Sequence, residues 1–231
     1  HEKESRYTDY SYEFIFYKND EGTKQREEIV LYYSPSVYML KDYDKGPDHA
    51  SINKDKNVDE LLFRNTVHSL ARDNDESNGK GGHYEPDFIV KYLRGEYDEQ
   101  QARWIGDLQI RYIMADAKHK DYDIVRKKDM PELVYKYLDS IKIFRGHKAE
   151  DGIDVSSYGG VAGLMNEDLS NVDVRIAGLC AIYSEHIDQD SLNAQQEEEQ
   201  QEYFELNSYS TEEEKFSRMI YMNVNEEEKD R

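Results

Sequence analysis

At 231 residues the chain has room for one medium domain, or for two small ones with a tail. Its charged share of 35%, apolar share of 37% and mean hydropathy of -0.98 predict a modest core and at least one unpacked segment. No apolar run approaches the roughly 18 residues of a membrane span, and the single cysteine, Cys180, excludes a disulfide framework or a multi-cysteine zinc site.

The opening residues His1–Arg6 are charged and lack the apolar stretch of a secretory signal, so a cytoplasmic protein is expected, with Cys180 packed as a small apolar group. The 20 tyrosines supply large buried area with a polar tip, which lets part of the chain fold around aromatic contacts.

The formal net charge of -20 is unevenly placed. Residues 1–85 hold 18 acidic and 12 basic side chains, and residues 86–150 hold 12 and 13. Residues 151–184 hold 5 and 1, and residues 185–231 hold 15 and 4. More than half of the excess therefore lies in the last stretch, and the middle third is locally balanced.

Along the chain, Tyr12, Phe14 and Phe16 alternate with Glu13, Ile15 and Tyr17 at a period of two, which predicts a strand. Asn19–Gly22 reads as a turn and Ile29–Tyr33 as a second strand, so a hairpin is expected within 10–40. Asp42–Asp48 reads as loop. Asn57 and Glu60 have capping-box spacing ahead of Phe63, Val67 and Leu70, which predicts a helix. Asp73–Gly82 reads as a linker.

The middle third is predicted to be helical. Pro86 opens a short helix through Phe88, Ile89, Tyr92 and Leu93 that Gly95 stops. A second helix over about 98–118 carries Ile105, Leu108, Tyr112 and Ala115 on one side. Together they have the outline of a helix-turn-helix. Arg94, Arg103, Arg111, Lys118, Lys120 and the run Arg126, Lys127 and Lys128 lie on or beside it and are the candidate DNA-phosphate contacts. A third helix is capped by Asp129 and Glu132, has Pro131 in its first turn, and places Val134, Tyr137, Leu138 and Ile141 on its core face.

Residues 146–168 are glycine-rich. Tyr158–Gly163 has the look of a phosphate loop but lacks its lysine, so a plain turn is expected. Ser170 and Asp173 cap a further predicted helix with Val172, Ile176, Leu179 and Tyr183 in phase. Catalytic patterns are missing: there is no His-Glu-x-x-His pair and no Gly-x-Ser-x-Gly elbow. His147, Glu150, Asp151 and Asp154 form the best hard-ligand cluster.

The last 47 residues form a carboxylate-rich arm. Glu197, Glu198, Glu199 and Glu202, then Glu205, Glu212, Glu213 and Glu214, then Glu226, Glu227 and Glu228 are the candidate partner-binding residues. Ser210 and Glu213 cap a predicted short segment with Phe216, Met219 and Ile220 on one stripe. B-DNA carries one charge per roughly 1.7 Å of axis. The four glutamates of 197–202 span about 9 Å of helix and match that density locally. Averaged over 185–231 the density is several-fold lower, so imitation of DNA by patches is expected rather than by a continuous rod.

In size, charge, balanced middle third (Arg94–Lys128) and acidic arm (Glu185–Arg231), the chain resembles the acidic early host-takeover proteins of large lytic Bacillus phages, DNA-mimic inhibitors of host RNA polymerase. The resemblance implies a DNA-binding element joined to a DNA-mimicking element and a disordered tail, bacterial RNA polymerase as partner, and the host cytoplasm as location. The expected fold is α+β. A small α+β region with a hairpin spans 1–82, a helical region 83–148, a glycine-rich loop and packing helix 149–184, and an acidic arm 185–231. The expected protein is not an enzyme, needs no cofactor and touches no membrane. Two alternatives stand beside this reading. One is a regulator that binds double-stranded DNA and has an acidic autoinhibitory tail; the other is a metal-dependent hydrolase centred on His147–Asp154.

Overall fold

The computed structural model describes residues 2–20, 23–38, 61–64, 83–145, 161, 164, 168–184 and 215–222. Within them strands dominate: β1 (Glu2–Tyr7), β2 (Ser11–Asp20), β3 (Thr23–Tyr33), β4 (Leu62–Arg64), β5 (Phe88–Asp98), β6 (Arg103–Lys118), β7 (Ile141–Ile143), β8 (Leu169–Tyr183) and β9 (Phe216–Tyr221). Seven of these form one sheet in the order β1-β2-β3-β5-β6-β8-β9, and β4 pairs with β7 in a separate ladder. A helical segment, α1, lies between β6 and β7. It joins α-helical Tyr122–Ile124, π-helical Val125–Asp129, α-helical Met130–Leu133 and π-helical Val134–Asp139.

The fold is therefore mixed α+β with one large sheet. This corrects the expectation of a small hairpin beside a central helical region, and no helix-turn-helix exists among the described residues. The predicted helices at 86–93 and 98–118 are the strands β5 and β6. The predicted helix after Ser170 is β8, the stripe Phe216, Met219 and Ile220 is β9, and Phe63 lies in β4. The hairpin of β2 and β3 is present, but Asn19 and Asp20 still pair with Lys24 and Thr23, so the strands run further into the expected turn.

The chain divides into two compact units. The first comprises His1–Ile113 with Ser140–Ile176. Here β1, β2, β3 and β5 are successive antiparallel neighbours, with Glu13 opposite Arg6 and Val30, and Glu28 opposite Ile15 and Leu93. Ile15, Tyr17, Val30, Ile89 and Leu93 are buried on one face by strict alternation, as are Leu108, Ile110 and Tyr112 along β6. Between β1 and β2, the Thr8 hydroxyl accepts hydrogen bonds from the Tyr10 and Ser11 amides (3.3 and 3.1 Å). Between β5 and β6, Asp98 does the same for Gln100 and Gln101 (2.8 and 3.1 Å), and Ala102 takes a positive φ of 52° to close the turn.

Gly95, expected to stop a helix, sits mid-strand opposite Arg26. A Cβ there would lie 2.8 Å from the Asp107 carbonyl oxygen and 3.3 Å from the Trp104 ring, so the bare Cα permits the close approach. In the small ladder Phe63 and Phe144 meet edge to face at 6.3 Å, and the Phe144 amide donates to the Leu61 carbonyl.

The second unit comprises Met114–Asp139 with Ala177–Arg231. The third predicted helix is present as α1, though it begins at Tyr122 rather than Asp129 and ends before Ile141, which belongs to β7. Its first turn is closed by the Asp121 carbonyl, which accepts from the amides of Ile124 and Val125. Asp129 lies inside the helical run in αR conformation and makes no cap with its side chain. Tyr122, Val125, Met130, Leu133, Tyr137 and Leu138 are its buried apolar side chains, and Asp129 is buried among them. β9 lies parallel to β8, with Gly178 opposite Phe216 and Tyr183 opposite Tyr221.

Candidate interaction surface

The predicted DNA-contacting cations are spread over several elements rather than gathered on one helical hairpin, and Arg94, Arg103, Arg111, Lys118, Lys120 and Lys127 stand against carboxylates. In the first unit, Arg94 on β5 is 3.7 Å from Glu27, and Arg103 at the start of β6 is 2.5 Å from Asp168. Arg111 binds Asp173 through its carboxylate at 2.5 Å and its carbonyl at 2.8 Å. Arg175 takes the other Asp173 oxygen at 2.9 Å. Partial burial pushes the Asp173 carboxyl up, but the hydrogen bonds and charges of Arg175 and Arg111 outweigh this and hold it below its ordinary range.

In the second unit, Lys118 pairs with Asp116, and Lys120 binds both Asp129 oxygens at 2.9 Å. Lys127 is 3.1 Å from Asp123 one turn back, with both ends exposed. Arg126 lies 6.0 Å from the centre of the Tyr122 ring, and Lys128 is exposed. Asp129, read as a helix cap, is thus the seat of Lys120.

The candidate residues of the acidic arm, Glu197, Glu198, Glu199, Glu202, Glu205, Glu212, Glu213, Glu214, Glu226, Glu227 and Glu228, lie outside the described residues. So do the cluster His147, Glu150, Asp151 and Asp154, the linker at 73–82, the loop at 42–48 and the capping pair Asn57 and Glu60. Among the described residues no group of three His, Cys, Asp or Glu side chains is arranged to hold a metal ion, and no helix is long and apolar enough to cross a membrane. Burial raises the Cys180 thiol, with Arg218 pulling against it.

Sequence reasoning missed a different surface, the second face of the strands that carry the core. The ladder places Tyr7 beside Tyr12, Tyr12 beside Leu31, and Leu31 beside Val90. The next row along runs through Phe14, Ile29 and Tyr92, and Tyr33 stands beside Phe88 with ring centres 5.7 Å apart. Directly opposed residues share a face, so these apolar groups line one continuous surface. Tyr7, Tyr12 and Tyr33 are 80%, 51% and 55% exposed, and the others are half-buried. The signal was in the sequence: Phe14 and Phe16 are as apolar as the intervening Ile15 and Tyr17, which means both faces of β2 are apolar.

Fixed chemistry on the core face holds this platform in place. Arg26 and Glu28 are both buried and pair at 2.5 Å, and the Arg26 guanidinium lies 4.0 Å from the Tyr97 ring centre and 5.3 Å from that of Trp104. Burial, then the hydrogen bond and charge of Glu28, raise the Glu13 carboxyl against the pull of Arg6 and Arg26. On the outer face, burial and Glu27 raise the Tyr92 hydroxyl, with Arg94 opposing.

No protein-family model matches the chain, and neither a curated protein nor a solved structure matches it significantly.

Proposed function

We propose that the protein is an acidic interaction protein whose carboxylates imitate DNA phosphates and occupy a nucleic-acid-binding surface of a partner. The observation that carries this reading is the use made of the middle-third cations. Arg94, Arg103, Arg111, Lys118, Lys120 and Lys127 each stand against a carboxylate of the chain itself. A phosphate approaching any of them has to displace that carboxylate, in the field of a chain with net charge -20. The alternative regulator, which needs those cations for DNA, is disfavoured by the same observation. The excess of 15 acidic over 4 basic residues in 185–231 is the part of the chain suited to a cationic groove.

Bacterial RNA polymerase is the partner we favour, following the resemblance to phage host-takeover proteins; occupying its DNA channel shuts off transcription. The test is a titration of purified bacterial RNA polymerase with the full chain. Binding that weakens with salt and is displaced by duplex DNA supports the proposal. Binding unaffected by competing DNA sinks it, as does no binding at low salt.

A further inference from the structure

We propose that β9 is a charge-loaded clasp: its docking on β8 is opposed by self-repulsion of the acidic segment joining the two strands, and tightened by a polycation that neutralises that segment. The inference deepens the proposed function and rests on those carboxylates meeting a cationic partner. Its test uses a simple polyamine, so its outcome is separate from whether RNA polymerase is that partner.

Topology imposes the load. β9 runs parallel to β8, with Gly178 opposite Phe216 and Tyr183 opposite Tyr221. The chain leaves β8 at one end of the ladder and has to enter β9 at the other, as parallel neighbours require. Tyr183 and Phe216 are therefore offset by the ladder's length, about 17 Å at about 3.3 Å per residue. Between them run residues 185–214, which hold 11 Asp or Glu and no Lys or Arg. A neutral coil of those 30 residues spans about 30 Å on average, so it meets that separation easily. A segment of like charges repels itself and extends, so drawing its ends together is opposed.

Little nearby offsets this. The described residues of the second unit (114–139, 177–184 and 215–222) carry 6 acidic and 8 basic side chains, a net of +2 against the segment's -11. Among those bases Lys118, Lys120 and Lys127 already stand against Asp116, Asp129 and Asp123.

The hold on β9 is light enough for the load to matter. None of its side chains is buried; Ile220 is 45% exposed, and Met222 just beyond it is 50% exposed. Phe216 is seated against the bare Cα of Gly178, and the Tyr221 ring lies 5.6 Å from that of Tyr183. The Met222 amide donates to the Tyr183 carbonyl at 2.8 Å, and the Lys215 ammonium to the Leu138 carbonyl at 3.3 Å. Parallel ladders are also slightly less stable per residue than antiparallel ones.

Screening fixes the sign and the window. The screening length is about 30 Å at about 0.01 M salt and about 8 Å at about 0.15 M. The first exceeds the offset between the strand ends and the second does not, so the segment repels itself as a whole only at low salt. The docked state holds the carboxylates closer together and so binds a polycation more tightly. By reciprocity, the polycation tightens β9.

The test is amide hydrogen exchange at Phe216–Met222 in the full chain, with β2 and β3 as internal reference and a free peptide of the β9 sequence as the unprotected standard. Between about 0.01 M and about 0.15 M salt, exchange at β9 should slow roughly threefold or more relative to the reference strands. Spermine added at low salt, in amounts too small to change the ionic strength, should have the same effect. The variant E197Q/E198Q/E199Q/E202Q/E212Q/E213Q/E214Q should exchange slowly at low salt already and respond little to either. Unchanged protection of its β2 and β3 establishes that the sheet is folded; if it is not, the parent's response to spermine decides.

Exchange at β9 that ignores both salt and spermine overturns the proposal. Exchange that quickens with salt overturns it as well, because the segment is then attracted to the body. So does exchange as fast as the free peptide's at every salt, which leaves no docked strand to load. Slowing by spermine in a chain that RNA polymerase does not bind supports the clasp and counts against the polymerase alone.

Discussion

The Tyr137 hydroxyl donates to the buried carboxylate of Asp116 at 3.0 Å, and Lys118 pairs with the other oxygen of the same group. One end of the hydrogen bond belongs to α1 and the other to β6, so a single buried acid ties the helix to the strand it follows. The acid is costly to bury and needs both partners.

Tyr137→Phe keeps the ring and removes one donor, leaving a buried acceptor short of a partner. The expected loss is about 1–3 kcal/mol. Urea unfolding should show a lower midpoint with an unchanged slope. An unchanged midpoint means that Asp116 is satisfied without the tyrosine.

Asp173 and Glu13 give opposite pH dependences. Arg175 and Arg111 hold the Asp173 carboxyl below its ordinary value of 3.8 in the folded chain. The unfolded state therefore binds more protons, and this contribution is present above the unfolded value and lost as pH falls through the folded one. The Glu13 carboxyl is raised above its ordinary 4.5. Its favourable contribution is present below the unfolded value and lost as pH rises through the folded one. Asp173→Asn should flatten the acid limb of stability between about pH 5 and pH 2. Glu13→Gln should raise stability near neutral pH by some tenths of a kcal/mol, since the group is partly solvated. Urea midpoints measured across that range check both signs at once.

The strands of the N-terminal third were legible because 12–17 and 29–33 are runs of aromatic and β-branched residues, which favour a strand. The middle strands were misread for a specific reason. Leu108 and Tyr112, Val172 and Ile176, and Leu179 and Tyr183 are each four residues apart. Four fits one face of a helix and also, as twice two, one face of a strand. The residues that break the tie are the buried Ile110 and Val174 between them. Cap chemistry misled in the same way. At Asp98 a carboxylate accepts amides two and three residues on, which serves a turn between strands as well as a helix start. Of the helix at 122–139, the part from Asp129 onward was legible because Val134, Tyr137 and Leu138 fit a helical period; its first turns, from Tyr122, were not expected to be helical. As for the candidate site, the cations were identified but their carboxylate partners, such as Asp168 and Asp173, are distant in sequence and could not be paired with them. The outer sheet face was overlooked because half-buried aromatic residues read as core.

Gly178 supplies the third prediction. A Cβ at this position would lie 2.5 Å from the Phe216 carbonyl oxygen and 2.6 Å from its ring, so β9 has to shift before any side chain fits. Gly178→Ala should cost about 1–3 kcal/mol, as overpacking does. Hydrogen exchange should quicken at Phe216–Tyr221 while β2 and β3 keep their protection. Uniform protection across the chain would mean that β9 accommodates the methyl group in place.

The last prediction concerns the arm. Replacing Glu197, Glu198, Glu199 and Glu202 with glutamine removes four charges with little change in helix propensity. If these carboxylates occupy a cationic groove, affinity for RNA polymerase should fall at low salt, and the salt dependence of binding should become shallower. Screening acts beyond about 8 Å at physiological ionic strength, so parent and variant should converge as salt rises. The urea midpoint of the body should stay the same, because Arg103, Arg111 and Lys120 find their carboxylates at Asp168, Asp173 and Asp129 instead. A variant that binds as tightly as the parent at low salt reduces this stretch to a solvating tail, and partner recognition would then have to lie elsewhere, with the apolar face of β2 and β3 the next surface to mutate.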